Sequence, residues 1–256
     1  MYLFVVIVCF VVFYFFSKLS LSEYFLSNKF WKYIFFNFIT LNFVAPSLQN
    51  VFGEIPINGS LWTIKVEIAF YVLLPLFFLI INKLCKQKDN EKKYINYGLL
   101  IFYIISVAYS VVIPILCNKF SFPVSLANQF PAYLSYFIAG MFFVINWDFI
   151  NEHINKMIIP AIFIIVLHFV IQTAFLLPLA LCVFIIFIAF RVKVFNNIGR
   201  IVDYSYGMYL VHYPIILVLN YYKLFEQNFI VALLATISMS FMFAYILEII
   251  QKKIVR

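Results

Sequence analysis

The chain has 256 residues, of which 66% are hydrophobic and 11% charged, with a mean hydropathy of +1.05. That leaves too little polar surface for a water-soluble domain and points to helices of about 20 residues with lipid as their solvent. A net charge of +8 would suit nucleic acid in a soluble protein. Here the lysines and arginines cluster between apolar runs, where they set orientation, so nucleic acid is excluded as a partner.

In chain order, apolar runs occupy 2–16, 61–82, 95–117, 131–146, 157–176, 177–190, 204–222 and 229–250. The pattern predicts an all-α polytopic membrane helix bundle of about eight transmembrane helices. Residues 2–16 lack a preceding basic region and a following small-residue cleavage pattern, so they do not read as a removable signal peptide. The stretch 34–48, with Asn37, Thr40, Asn42 and Pro46, suits a short interfacial or re-entrant helix better than a full span. Lys83–Lys93 holds five lysines, and Arg191–Arg200 and Lys252–Arg256 hold three basic residues each. Positive residues stay inside, and span parity puts all three segments in the cytoplasm, leaving 49–60 outside. The sequence reads as one domain over 1–256. Cys9, Cys85, Cys117 and Cys182 lie singly, without metal-ligand spacing, and read as small packing residues; no metal is expected.

Two polar stripes interrupt the apolar background. Asn58-Gly59-Ser60 supplies a turn and helix cap, after which Leu61–Asn82 can run as one helix kinked at Pro75. Thr63, Glu67 and Tyr71 recur every four residues and share a face, with Trp62 at the interface; Lys65 lies on another face and can snorkel outward. An ionisable side chain at this depth costs about 2.5–3.5 kcal/mol on insertion scales, which marks Glu67 as a site residue or as a helix-packing ion pair or hydrogen bond. The second stripe, Ser205, Tyr209 and His212, lies on one face of a helix entering from the opposite side. His212 suits a base, donor or relay, and equally a packing hydrogen bond. His168 has no polar companions at helical spacing and reads as structural. His153 reads as a solvated residue in an Asn151-Glu152-His153 loop.

Asn58-Gly59-Ser60-Leu61-Trp62-Thr63, followed by Glu67 and Phe70-Tyr71, resembles the Asn-Gly-Ser-Leu-Trp-Thr-Leu-x-x-Glu-x-x-x-Tyr segment of the acyltransferase 3 family of integral membrane acyltransferases. Ile198-Gly199 and Tyr204–Pro214 resemble its Gly-x-x-Ser-Tyr-x-x-Tyr-Leu-x-His-x-Pro signature. Phe130–Gly140 and Ser240–Glu248 are similar to two further segments, in the same order.

The resemblance implies an enzyme of the bacterial inner membrane that moves an acyl group, commonly acetyl from cytoplasmic acyl-CoA, onto a hydroxyl of an envelope polysaccharide or glycolipid. The family's expected catalytic histidine lies in a first membrane helix that has no counterpart here. Residues 2–16 align with the family's third span, so the resemblance implies an N-terminally truncated chain, or one completed by a separate N-terminal piece. Glu67 and His212 then rank as supporting residues, with Asn58, Ser60, Trp62, Thr63, Tyr71, Ser205 and Tyr209 along the substrate path. The alternatives are a secondary transporter or flippase-like protein, in which Glu67 and His212 bind a proton or solute, and a non-catalytic remnant.

Overall fold

The computed structural model describes residues 1–38, 47–48, 50–53, 55–85, 91–195 and 203–254. Eleven α-helices are present among them: α1 Tyr2–Tyr14, α2 Leu21–Phe25, α3 Asn28–Phe38, α4 Trp62–Cys85, α5 Glu91–Phe120, α6 Phe130–Ile145, α7 Trp147–Ile171, α8 Leu177–Arg191, α9 Ser205–Tyr221, α10 Leu224–Gln227 and α11 Phe229–Ile254. No strand occurs among the described residues; Ser47 and Pro56 form an isolated antiparallel bridge. The chain divides into two compact units, Met1–Lys65 with Gly199–Arg256, and Val66–Ile198.

In the first unit α9 packs on α11 and α1. Its core joins Val5, Val6, Cys9 and Phe13 of α1 to Leu48, Val51 and Ile57 of the following loop, Leu61 and Ile64 at the start of α4, Leu210 of α9 and Leu247 of α11. Without a hydrophobic difference between lipid and side chains, membrane helices gain adhesion by close approach at small residues. Gly207 of α9 supplies that approach, since a Cβ there would lie 2.9 Å from the Ala244 Cβ and 3.0 Å from its Cα. The sequence Ser20-Leu-Ser-Glu23 opens α2 with a capping box: Ser20 N–H donates to Glu23 Oε2 (3.0 Å) and Glu23 N–H to Ser20 Oγ (3.4 Å).

In the second unit α5 packs on α6, α7 on α8, and α6 on α8. The buried Ser106 hydroxyl inserts into the α6 ladder, donating to Pro131 O (2.7 Å) and accepting from Ser135 N–H (2.7 Å). An inserted side chain of this kind opens a helix locally while keeping both backbone groups satisfied. Asn96 and Asn146 exchange amide hydrogen bonds of 3.2 and 3.1 Å. Phe70 stacks on Phe137 with ring centroids 3.6 Å apart.

Eight of the helices coincide with the eight apolar runs. Four segments are long and apolar enough to cross a membrane, Gly59–Ile80, Lys92–Phe120, Trp147–Ile171 and Phe229–Lys253. The other four hold 13, 16, 15 and 17 residues, against the roughly 20 that a full crossing takes. Large apolar side chains are exposed along the long helices; Phe169, 86% exposed, would be untenable in water at this density of exposed neighbours and is suited to lipid.

Two boundaries differ from the sequence expectation. Asn151, Glu152 and His153 lie within α7, not in a loop. With no glycine or proline between Trp147 and Ile159, nothing breaks the helix, and the His153 ring stacks on Phe149 one turn earlier, its Nδ1 2.9 Å from Phe149 O. The short helix expected over 34–48 begins earlier, as α3, where Ser27 Oγ accepts from Phe30 N–H at 3.1 Å. Residues 39–46 of that stretch, including Thr40, Asn42 and Pro46, lie outside the described residues, as do Lys86, Lys88 and Arg200 of the basic segments.

Gly207→Val is expected to lower the unfolding temperature in detergent, with about 1–3 kcal/mol of overpacking strain. Gly140→Ala, where a Cβ meets nothing within 4 Å, is expected to be neutral or stabilising by up to about 1 kcal/mol through helix propensity. Equal effects at the two positions would contradict the assigned contact.

Candidate functional site

The site in the first unit starts from a proline. Pro214 lies inside α9 and has no N–H, so the carbonyl four residues earlier, on Leu210, loses its helical partner. Leu210 is fully buried, and a bare buried carbonyl costs about 1–3 kcal/mol. Asn58 removes that cost: its Nδ2 donates to Leu210 O at 2.7 Å. The asparagine is itself buried, and its remaining oxygen accepts from Ser60 Oγ at 2.6 Å. Asn58 therefore does not cap the following helix through its side chain, as its position suggested; a short 3-10 turn, Gly59–Leu61, precedes α4 instead. The carbonyl on α9 is the stronger claim on the amide, because water can reach the helix end more easily than a buried backbone oxygen.

A second set of contacts ties the same two segments. Ser60 O accepts from Thr63 Oγ1 (3.1 Å) and from Tyr209 Oη (2.5 Å), and the Thr63 and Tyr209 hydroxyls also touch each other. Ser60 Oγ lies 3.5 Å from Tyr209 O. Gly59 makes the approach possible, since a Cβ there would sit 2.8 Å from the Tyr213 ring.

His212 follows Tyr209 by three residues on α9, with Nδ1 2.7 Å from Tyr209 O and the two ring centroids 5.7 Å apart. A carbonyl only accepts, so Nδ1 carries the proton and Nε2 is the lone-pair nitrogen in the neutral ring. Among the described residues Nε2 has no hydrogen-bond partner, which leaves it able to accept a proton or a donor from a bound hydroxyl. Ser205, by contrast, stands exposed at the start of α9. Its side chain and its backbone N–H (2.9 Å) bond the Asp203 carboxylate and hold that carboxyl below its usual range.

Of the residues singled out from sequence, Asn58, Ser60, Thr63, Tyr209 and His212 are brought together, and Trp62 begins α4 next to them, half-buried. Glu67 and Tyr71 belong to the second unit, one turn apart on α4, where the Tyr71 hydroxyl donates to Glu67 Oε1. Tyr71 is exposed and Glu67 half-buried; Lys65 is half-buried in the first unit. His168 lies in the last turns of α7. Among the described residues no group of three His, Cys, Asp or Glu could hold a metal. Tyr213 and Leu210 were not singled out from sequence; the signal was the four-residue spacing from Leu210 to Pro214.

The sequence model described as an acyltransferase domain, that of the acyltransferase 3 family, matches residues 1–249. The chain belongs to the acyltransferase 3 family. Neither a curated protein nor a solved structure matches it. Family membership and the apolar helices make the chain an integral membrane protein. In this acyltransferase 3 member the two segments that carried the resemblance, around Asn58 and around His212, meet physically at the Leu210 carbonyl.

Asn58→Ala is expected to cost about 1–3 kcal/mol of stability by stranding that carbonyl. In a Pro214→Ala background the restored N–H can take the Leu210 oxygen, so the same change is expected to cost less; denaturant unfolding of the four proteins gives the coupling. An Asn58→Ala cost that is unchanged by Pro214→Ala would refute the link.

Proposed function

We propose that the chain acts, alone or completed by a separate N-terminal piece, as a membrane O-acyltransferase of the bacterial inner membrane, moving an acetyl group from cytoplasmic acetyl-CoA to a hydroxyl of an envelope polysaccharide or glycolipid outside. The family match over residues 1–249 carries this reading. In the proposed topology the basic segments around Lys83–Lys93, Arg191 and Lys252 face the cytoplasm. The four shorter helices then cross where the bilayer thins to meet them.

The chemistry is a balanced transfer. The acceptor oxygen attacks the thioester carbonyl and gives its proton to a base; the tetrahedral oxyanion collapses, the C–S bond breaks, and the thiolate leaves as CoA and is reprotonated. His212 suits a supporting place beside that proton path because its Nδ1–H is fixed on Tyr209 O, leaving Nε2 as acceptor. Glu67, which accepts from the Tyr71 hydroxyl within the second unit, keeps the supporting role that the family resemblance implies rather than attacking the thioester.

Radiolabelled acetyl-CoA given to inverted membrane vesicles carrying the chain, with envelope glycan enclosed, is expected to yield alkali-labile label in the glycan. Glu67→Ala is expected to lower the rate at least tenfold at unchanged protein level, and His212→Gln likewise. Absence of ester both in the parent vesicles and in vesicles that also carry a co-expressed N-terminal piece with the family's first membrane helices would overturn the reading. Full transfer in a correctly inserted Glu67→Ala protein would remove that residue from the path.

A further inference from the structure

A cavity of about 690 Å³ opens in the first unit beyond the C-terminal end of α1, between Asn50, Phe52, Gly53 and Ile55 on one side and the last turn of α9 on the other. Its volume is that of a small-ligand site. It lies one helix segment away from the Asn58 cluster, since Leu210 and Asn220 are ten residues apart on α9, or about 15 Å.

The walls are built from two kinds of group. Phe16, Phe52 and Tyr221 present aromatic surface, while Lys18, Asn50 and Asn220 supply an ammonium and two carboxamides. Among the described residues none of these three polar side chains is engaged in a hydrogen bond or ion pair, so their capacity is open to a ligand. The aromatic side is a cluster of contacting rings. Phe52 contacts Phe13, Phe16 and Tyr221 at centroid distances of 5.2, 5.2 and 5.4 Å.

The backbone beneath takes an unusual conformation. Asn50, Phe52 and Gly53 all take left-handed φ values, of 55°, 47° and 73°. Glycine and asparagine accept that region readily, whereas a phenylalanine there is a genuine outlier. The loop is pinned by Leu48, Val51 and Ile57, all fully buried, so the strain is paid by core contacts. Bulky residues held this way concentrate at ligand clamps.

We propose that this cavity is a saccharide-binding site, the place where the acceptor glycan is held; as a statement about the acceptor it rests on the acyltransfer reading above. Aromatic faces carry negative quadrupole charge and suit the C–H faces of a sugar ring. A carboxamide offers a donor and an acceptor side by side, matching neighbouring hydroxyls, which are also both. The single ammonium adds a preference for sugars bearing a carboxylate. A lipid headgroup phosphate would take Lys18 and the carboxamide N–H donors, but would leave the carboxamide oxygens and the aromatic box without a role.

Saturation-transfer NMR on the full chain in detergent, with maltotriose, chitotriose and trigalacturonate as probes, tests the site without any acyl donor. Transfer to at least one probe is expected, and Lys18→Ala/Asn220→Ala, both exposed positions, is expected to weaken it at least tenfold with the unfolding temperature unchanged. Asn50→Gly, which keeps the left-handed backbone, is expected to weaken it as well. No transfer to any probe, unaltered binding in the variants, or Lys18-dependent binding of phosphatidylglycerol vesicles in place of sugar would each overturn the proposal. Binding without acetyl transfer would leave the site standing and sink the acyltransfer reading; acetyl transfer with an acceptor KM unmoved by the variants would do the reverse.

Discussion

Pro214 deprives the Leu210 carbonyl of its helical partner in the middle of a buried helix, and the first unit is organised around that deficit. In lipid no water is available to fill it. The donor must come from the protein, and it comes from 152 positions away in sequence, on Asn58. Once Asn58 is fixed, its oxygen fixes Ser60, the Ser60 carbonyl gathers Thr63 and Tyr209, and Gly59 lies under the Tyr213 ring. One missing N–H thereby sets the turn Gly59–Leu61 against α9.

The same economy recurs where helices meet. Gly207 lets α9 approach the Ala244 backbone, and Ser106 enters the hydrogen-bond ladder of α6 without leaving a polar group bare. These are the devices available when burial of apolar surface gives little preference for a neighbour over a lipid chain. They also place the polar residues of the candidate site in a setting where each hydroxyl and amide already has a defined direction, which is what orientation of a reacting group requires. His212 shows the benefit: a carbonyl on one nitrogen decides the chemistry offered by the other.

Much of the architecture was legible in the sequence, because lipid exposure makes apolar runs long and unambiguous. All eight runs became helices, and the four-residue spacing of Glu67 and Tyr71 returned as a hydrogen bond. The failures have local causes. The Asn151–His153 segment looked like a loop because it is polar, yet polarity without a breaker does not end a helix. Asn58 looked like a cap because asparagine before a helix commonly is one; a distant proline outbid the helix end. The cavity lined by Lys18, Asn50 and Asn220 was invisible because these residues come from three separate segments and form no motif.

The pairing of Asn58 with the Leu210 carbonyl can be observed directly. Isotope-edited infrared spectroscopy of the chain in bilayers, with a ¹³C carbonyl at Leu210 alone, reads the hydrogen-bond state of that one oxygen. A strongly hydrogen-bonded amide I band that moves to higher frequency in Asn58→Ala is the predicted result. A band at the same frequency in both proteins would contradict the account.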